Sequence, residues 1–348
     1  MFMFILSLIT YLLFSMYLYF FLKTYVFVSK WRILIISCLC SLPAFRLHSI
    51  LFIFEVHILV FLTIVRCILY FTKINKKARL IFCIVFSFIL SGLCIGYGYY
   101  NAKNIVKTEY YLNTDKNVPK NYKIAFLSDL HYPTSMTKKD AIELVKRINK
   151  ERCDVVILGG DIVDEHTTVK EREEIFQILG ELNQISKVVY VYGNHDLGKY
   201  SLNNKISSQD FEHIVEENGI EVLKDEVLEL DGHVALIGRD DFYNKTRLDI
   251  DELLKKCSQE DYRIVLDHQP KELEENADMS IDLYLSGHTH AGQIFPMYTM
   301  FEMFNINELN YGIENYKHMY AINTSGAGTW GFPIRTQNHS EYVILHIQ

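Results

Sequence analysis

The sequence predicts a chain of two parts, an all-α transmembrane segment over residues 1–100 and a layered α/β domain over 121–348, with a linker at 101–120. Three observations predict this. Charge is segregated: the first 100 of 348 residues hold nine basic residues and one acid, Glu55, a net of +8, while the other 248 hold 26 basic and 41 acidic residues, a net of −15. Apolar runs of membrane-crossing length fill the first part. In the second part, short β-branched or aromatic runs alternate with amphipathic charged stretches, the pattern of an α/β layer structure.

Residues 2–22 form an unbroken apolar run of 21, enough at about 1.5 Å per residue to cross a hydrocarbon core of roughly 30 Å. A basic leader and a small-residue cleavage site are both missing, so the run does not read as a cleaved signal peptide. Residues 80–100 make a second clear span. Between them, 47–72 is long enough but carries Glu55, His57 and Arg66, and 33–45 is short and contains Pro43. Counting both gives four spans, with the basic loops 23–32 and 73–79 on one side. The positive-inside rule then sets both the N-terminus and the large C-terminal part outside the cytoplasm of a cell-membrane protein. Glu55, His57 and Arg66 are candidates for a lipid-headgroup site, but structural pairing within the helices is the expectation.

The predicted strands beyond the linker are 123–128, 154–158, 187–192, 233–238, 262–267, 281–285 and 341–347, with helices over 137–150, 169–185, 208–217 and 249–257. Five strands run into polar clusters: Ser-Asp-Leu-His at 128–131, Gly-Gly-Asp at 159–161, Gly-Asn-His-Asp at 193–196, Asp-His-Gln-Pro at 267–270 and Ser-Gly-His-Thr-His at 286–290. Clusters at the carboxyl ends of strands in one α/β sheet converge on a single crevice. The converging set is Asp129, His131, Asp161, Asn194, His195, His268, His288 and His290.

Carboxylate and imidazole donors without thiolate suit manganese, iron or zinc. Seven such groups, with the Asn194 amide as an eighth donor, are too many for one ion and fit two divalent ions sharing a carboxylate. The one-residue spacing in Asp129-Leu130-His131 and in His288-Thr289-His290 lets both members of each pair face the same side. Glycines at 159, 160, 193 and 287 let the backbone approach closely. Each motif alone is commonplace, and five in order at strand ends are not. The seven cysteines form no CxxC pair, which excludes a zinc ribbon or a thioredoxin-type motif. The −15 balance argues against nucleic acid as a partner.

This ordered set, Asp-x-His, Gly-Asp, Gly-Asn-His-Asp, His and Gly-His-x-His, resembles the calcineurin-like metallophosphoesterase superfamily over about residues 121–348. The stretches Asp267 to Pro270, Gly287 to Ile294 and Thr324 to Gly331 are similar to its membrane-associated bacterial phosphodiesterase branch, of YaeI and YkuE type, with Ala291 where that branch often has glycine. The resemblance implies a two-sheet β-sandwich flanked by helices. It implies one metal held by Asp129, His131, Asp161 and His290, a second held by Asp161, Asn194, His268 and His288, and His195 as proton donor in hydrolysis of a phosphoester, most naturally a phosphodiester, by a metal-bridging hydroxide. Asp164 is the preferred carboxylate to orient His195, with Asp196 as the other option. Asp240 and Asp241 read as a solvated strand end. Arg335 is a candidate for binding a substrate phosphate, balanced against a plain surface arginine. The membrane half favours a lipid-linked or cell-envelope substrate, and the competing class is a catalytically silent membrane sensor or scaffold that binds a phospho-ligand.

Overall fold

The computed structural model describes residues 2–47, 49–201, 203–230 and 233–348, so positions 1 and 48 of the predicted apolar half lie outside it. Two compact units emerge, Met1–Tyr99 and Tyr100–Gln348.

The first unit is helical: α1 (Phe2–Tyr25), α2 (Lys30–Cys40), a 3-10 turn (Leu42–Phe45), α3 (Ile50–Tyr70) and most of α4 (Lys76–Lys103). Among the described residues, three helices are long and apolar enough to cross a membrane, within α1, α3 and α4. The expected span at 33–45 departs from its prediction. Its 11-residue helix rises only about 16 Å, half of a hydrocarbon core, before Pro43 enters the 3-10 turn. Only 17% of the apolar stretch of α1, 28% of α3 and 17% of α4 is buried within the protein, so most of this surface needs an apolar solvent. Two of the ionisable residues of α3 make local contacts, His57 Nδ1 lying 2.8 Å from the Ile53 carbonyl and the Arg66 guanidinium over the Phe21 and Tyr25 rings, while both carboxylate oxygens of Glu55 are buried without a hydrogen-bond partner among the described residues.

The second unit is a sandwich of two six-stranded mixed sheets with helices outside. Its strands are β1 (Val106–Leu112), β2 (Tyr122–Leu127), β3 (Val155–Leu158), β4 (Lys187–Tyr190), β5 (Glu221–Val222), β6 (Glu226–Leu230), β7 (Val234–Gly238), β8 (Tyr262–Leu266), β9 (Leu283–Ser286), β10 (Gly312–Tyr316), β11 (Met319–Asn323) and β12 (Glu341–Ile347). One sheet runs β1-β12-β2-β3-β4-β5 and the other β10-β11-β9-β8-β7-β6. The helices are α5 (Lys138–Glu151), α6 (Val169–Gly180), α7 (Ser208–Glu216), α8 (Ile250–Leu254), α9 (Leu273–Ala277) and α10 (Met297–Phe304).

Strand composition follows from this layering. Ile124, Phe126, Val155 and Ile157 point between the sheets, towards Leu236, Ile264, Leu266 and Leu285. Their neighbours Ala125, Leu127, Val156 and Leu158 point outward, onto Leu144, Ile148, Ile175 and Phe176 of α5 and α6. Both faces are dry, so these strands read as continuous apolar runs without polar alternation. Capping boxes start the helices that cover the first sheet: Thr137 with Asp140 on α5, and Thr168 with Glu171 on α6.

The predicted linker is partly wrong, because β1 lies inside it. This edge strand pairs with β12 along its whole length and exposes alternate residues, which makes it polar enough to read as a connector. β10 and the two-residue β5 are likewise short, partly exposed edge elements.

Candidate metal centre

Core strands β2, β3 and β4 of one sheet and β8 and β9 of the other all end in the loops that carry the polar clusters. The geometry resolves them into two groups of ligand atoms, each within 4.8 Å of one another: Asp129, His131 and His290, and Asp161, His268 and His288. In the first, His290 Nε2 lies 3.3 Å from Asp129 Oδ1 and 3.2 Å from His131 Nε2. In the second, His268 Nε2 lies 3.0 Å from Asp161 Oδ2. That same Asp161 oxygen is 4.0 Å from His131 Nε2 of the first group, so it faces both.

Backbone conformation was sacrificed to reach this arrangement. Asp129, His131, Asp161, His288 and His290 all adopt left-handed φ values between 47° and 71°, a region that costs a non-glycine residue about 1–3 kcal/mol and persists where surroundings enforce it. Close approach explains two of the glycines: a Cβ on Gly193 would fall 2.1 Å from Asp161 Oδ1, and one on Gly287 would fall 2.3 Å from Asp129 Oδ2. Backbone N–H groups fill the remaining carboxylate lone pairs, with His195 donating to Asp161 Oδ1 at 2.8 Å and His288 to both oxygens of Asp129.

The donor set fits divalent cations. Asp129 and Asp161 are buried, and among the described residues no Lys or Arg makes an ion pair with either. Burial pushes both carboxyls up. With the protein's own charges alone, Asp129 stays raised by burial, while the charges of His268 and His195 hold Asp161 well below its usual range. Burial would lower His268, but Asp161 outweighs it and raises that imidazole to about 10. Burial beside His268 drops His288 to about 4 and, beside His131, drops His290 well below its usual value. A proton on His268 thus does for the carboxylates what a cation would do. His268 Nδ1 donates to the Gly159 carbonyl at 2.8 Å, leaving Nε2 as the ligating atom, while His131 Nδ1 and His290 Nδ1 are buried without a hydrogen-bond partner. Asn194 is buried beside the second group, and its Oδ1 accepts from Gln269 Nε2 at 3.2 Å.

His195 belongs to neither group. Its Nδ1 lies 2.8 Å from Glu165 Oε1. Burial lowers its pKa, but the charge of Asp161 and the Glu165 hydrogen bond prevail and raise it to about 9. The expected orienting residue, Asp164, is placed elsewhere. It closes a turn, with Oδ1 accepting from the His166 N–H and its own N–H donating to the Thr167 hydroxyl at 2.8 Å. Asp196 is not the partner either, since its carboxylate accepts from the N–H groups of Asp161, Val163 and Gly193 and so ties the β3 loop to the β4 loop. Sequence reasoning missed Glu165, which lies beyond the Gly-Gly-Asp motif at 159–161 and next to the acid preferred in its place.

Arg335 is also corrected. It is completely buried, and its guanidinium donates to the carbonyls of His290, Ser325 and Gly328 at 2.7–2.8 Å, which holds the His290 loop; only its Nε is unpartnered among the described residues, and that atom is buried away from the crevice surface. Asp240 and Asp241 are buried as well. Asp241 accepts from Lys199 at 2.5 Å and from Gln269 at 3.1 Å, so it supports Asn194 through Gln269.

Comparison with known proteins agrees with this picture. The calcineurin-like phosphoesterase family model matches residues 122–292. A metallophosphoesterase of Aquifex aeolicus is 33% identical over 250 residues, covering 69% of this chain and 90% of its own. A Helicobacter pylori metallophosphoesterase is 32% identical over 252 residues, 70% of this chain, and the match spans 63% of that protein's length. A Danio rerio transmembrane protein with metallophosphoesterase domain is 26% identical over 277 residues, 74% of this chain and 61% of its own.

Proposed function

Because the chain belongs to the calcineurin-like metallophosphoesterase family, we propose that its second unit hydrolyses phosphoesters, with phosphodiesters as the preferred class, in the crevice where its two sheets end. The observation that carries this reading is the pair of adjacent ligand groups, with Asp161 Oδ2 of the second 4.0 Å from His131 of the first and an oriented histidine beside them that joins neither. Asp129, His131, Asp161 and His290 would hold one divalent metal, and Asp161, Asn194, His268 and His288 the other; manganese, iron or zinc suits these donors. Two such ions supply charge neutralisation at the phosphoryl oxygens and a water acidic enough to act as nucleophile near neutral pH.

The chain's own residues do the rest. Glu165 takes His195 Nδ1 and leaves Nε2 to protonate the departing alkoxide, a step worth about 10²–10⁴ in rate. Gln269 fixes the Asn194 amide by donating to its Oδ1, which keeps a second lone pair. The His195–Glu165 pair speaks against a silent sensor or scaffold, since binding a phospho-ligand needs no oriented proton donor. Three apolar helices, and a relative named as a transmembrane protein, support anchoring in a bilayer and a lipid-linked or cell-envelope substrate.

Orientation is a separate matter. An extracytoplasmic domain rested on a fourth crossing at 33–45. With three crossings the basic residues divide four and four between the two connecting loops, and reporter fusions at Gln348 decide the side. Hydrolysis is tested with the purified full chain, bis-p-nitrophenyl phosphate and added manganese. Wild type turns over, and Asp161→Asn and His195→Ala lose at least about 10²-fold; unchanged turnover in either variant overturns the reading.

A further inference from the structure

We infer that α10 is an interfacial helix that lies in the surface of the bilayer anchoring the chain. It does not cross that bilayer, and it seats the mouth of the metal centre among lipid headgroups. Elsewhere in the second unit, exposed large apolar side chains such as Tyr111, Ile185 and Leu248 are scattered, as on any soluble surface. The segment 295–306 differs. None of the eight residues of α10 is buried, and Phe295, Met297, Met300, Met303, Phe304 and Ile306 are all exposed, Met303 by 70% and Phe304 by 64%. Its one charged residue, Glu302, is engaged by Asn310 Nδ2 at 2.6 Å. A short helix that half-buries only Tyr298 and Phe301 and exposes methionine and phenylalanine needs an apolar cover.

The bilayer is the cover that the chain's connections favour. Tyr97, Tyr99 and Tyr100, each more than half exposed, mark α4 near its end, and tyrosines gather at the membrane–water boundary. The next turn belongs to the second unit and is locked into it. Asn101 Nδ2 donates to the carbonyls of Arg335 and Asn338, Ser340 donates to the Ala102 carbonyl, and Lys103 pairs with Asp140 at 3.0 Å. The other side of the same 335–340 loop holds the start of α10: Thr336 Oγ1 accepts from the Phe295 N–H and Gln337 Oε1 from the Tyr298 N–H. One loop therefore separates the last turn of α4 from α10. From there to the metal centre is a few residues, since His290 precedes α10, and Gln293 between them donates to the carbonyls of Trp330 and Ile334, with the Trp330 ring 6.4 Å from His195. A phosphoester carried by a lipid would reach the crevice without leaving the headgroup layer.

The inference rests on the membrane anchoring proposed above but not on turnover, and the test separates them. The full chain in lipid nanodiscs receives Trp31→Phe and Trp330→Phe, which remove both native tryptophans, with either Met303→Trp or, as a remote control on the same unit, Ile185→Trp. Interfacial helices sit about 5–10 Å deep at the headgroup–acyl boundary, so lipids with a doxyl group high on the acyl chain should quench the Met303→Trp variant more than the Ile185→Trp variant, and more than lipids labelled deep in the chain do. Equal quenching in the two variants overturns the inference. So does a blue-shifted Met303→Trp emission that no labelled lipid quenches, because a second copy of the chain is then the cover. Release of the full chain from vesicles by alkaline carbonate overturns the anchoring, and the inference with it. Absence of hydrolysis overturns only the proposed activity, because quenching needs no turnover.

Discussion

Replacing Arg335 by Met separates a structural cation from a substrate-binding one. The guanidinium is buried and makes no ion pair among the described residues; its partners are three carbonyls, of His290, Ser325 and Gly328. Burial drags its pKa down, partly offset by the charges of Asp129 and Glu341, to about 10, so it remains charged at neutral pH. Methionine fills similar volume and strands the three carbonyls, each worth about 1–3 kcal/mol once unpaired and buried. Relaxation of the loop recovers part of this, leaving a loss near 4 kcal/mol. For a unit of this size, at about 2–4 °C per kcal/mol, the melting temperature falls by ~8–16 °C. Arg335→Lys keeps the charge but cannot fork to three carbonyls, and falls between. Since the His290 carbonyl is one of the three, manganese affinity should fall together with stability. The assays are thermal melting of the full chain in detergent and metal content after dialysis. An Arg335→Met protein with unchanged melting and metal content but a raised KM for the diester would refute the reasoning and return Arg335 to the substrate.

Three further outcomes are expected. Glu165→Gln keeps the shape but removes the charge that orients His195, and should lower kcat by about 10–100-fold, within the range of general acid catalysis; Asp164→Asn, confined to its turn, should change kcat little, which steady-state kinetics on both variants checks. Gly193→Ala drives a methyl into Asp161 Oδ1, so the purified variant should carry less bound metal by elemental analysis than wild type at equal melting buffer and load. Chelation should lower the melting temperature as well as abolish turnover, because cations at 100 times their Kd stabilise by about 2.7 kcal/mol and because no Lys or Arg among the described residues makes an ion pair with Asp129 or Asp161; calorimetry with and without EDTA measures the difference.

What the sequence made legible follows from where each property resides. Strands buried on both faces, such as β2 and β3, are apolar without interruption, and the chemistry at their ends sits in contiguous motifs, so the sandwich and the ligand loops could be read in order. Edge elements carry a weaker mark: β1 has one solvent face, and its polar residues read as a linker. Burial of single charged residues was not legible at all. Arg335 and Asp241 are buried because distant loops supply their partners, and no local pattern records that.

Glu165 shows the limit most sharply. Asp164 and Glu165 are adjacent acids on the same loop, and pattern alone cannot say which one turns to His195. The fold decides through Thr167, whose hydroxyl donates towards the Tyr132 carbonyl and accepts the Asp164 N–H, pinning Asp164 into the turn and leaving Glu165 on the side of the crevice. That pinning depends on Tyr132, which follows ligand His131 and pairs with Val163 in an isolated bridge next to ligand loop β3. The orientation of the proton donor is therefore set by the same backbone contacts that bring Asp129 and Asp161 together, which is why the metal ligands could be named from sequence while the residue that aims His195 required the structure.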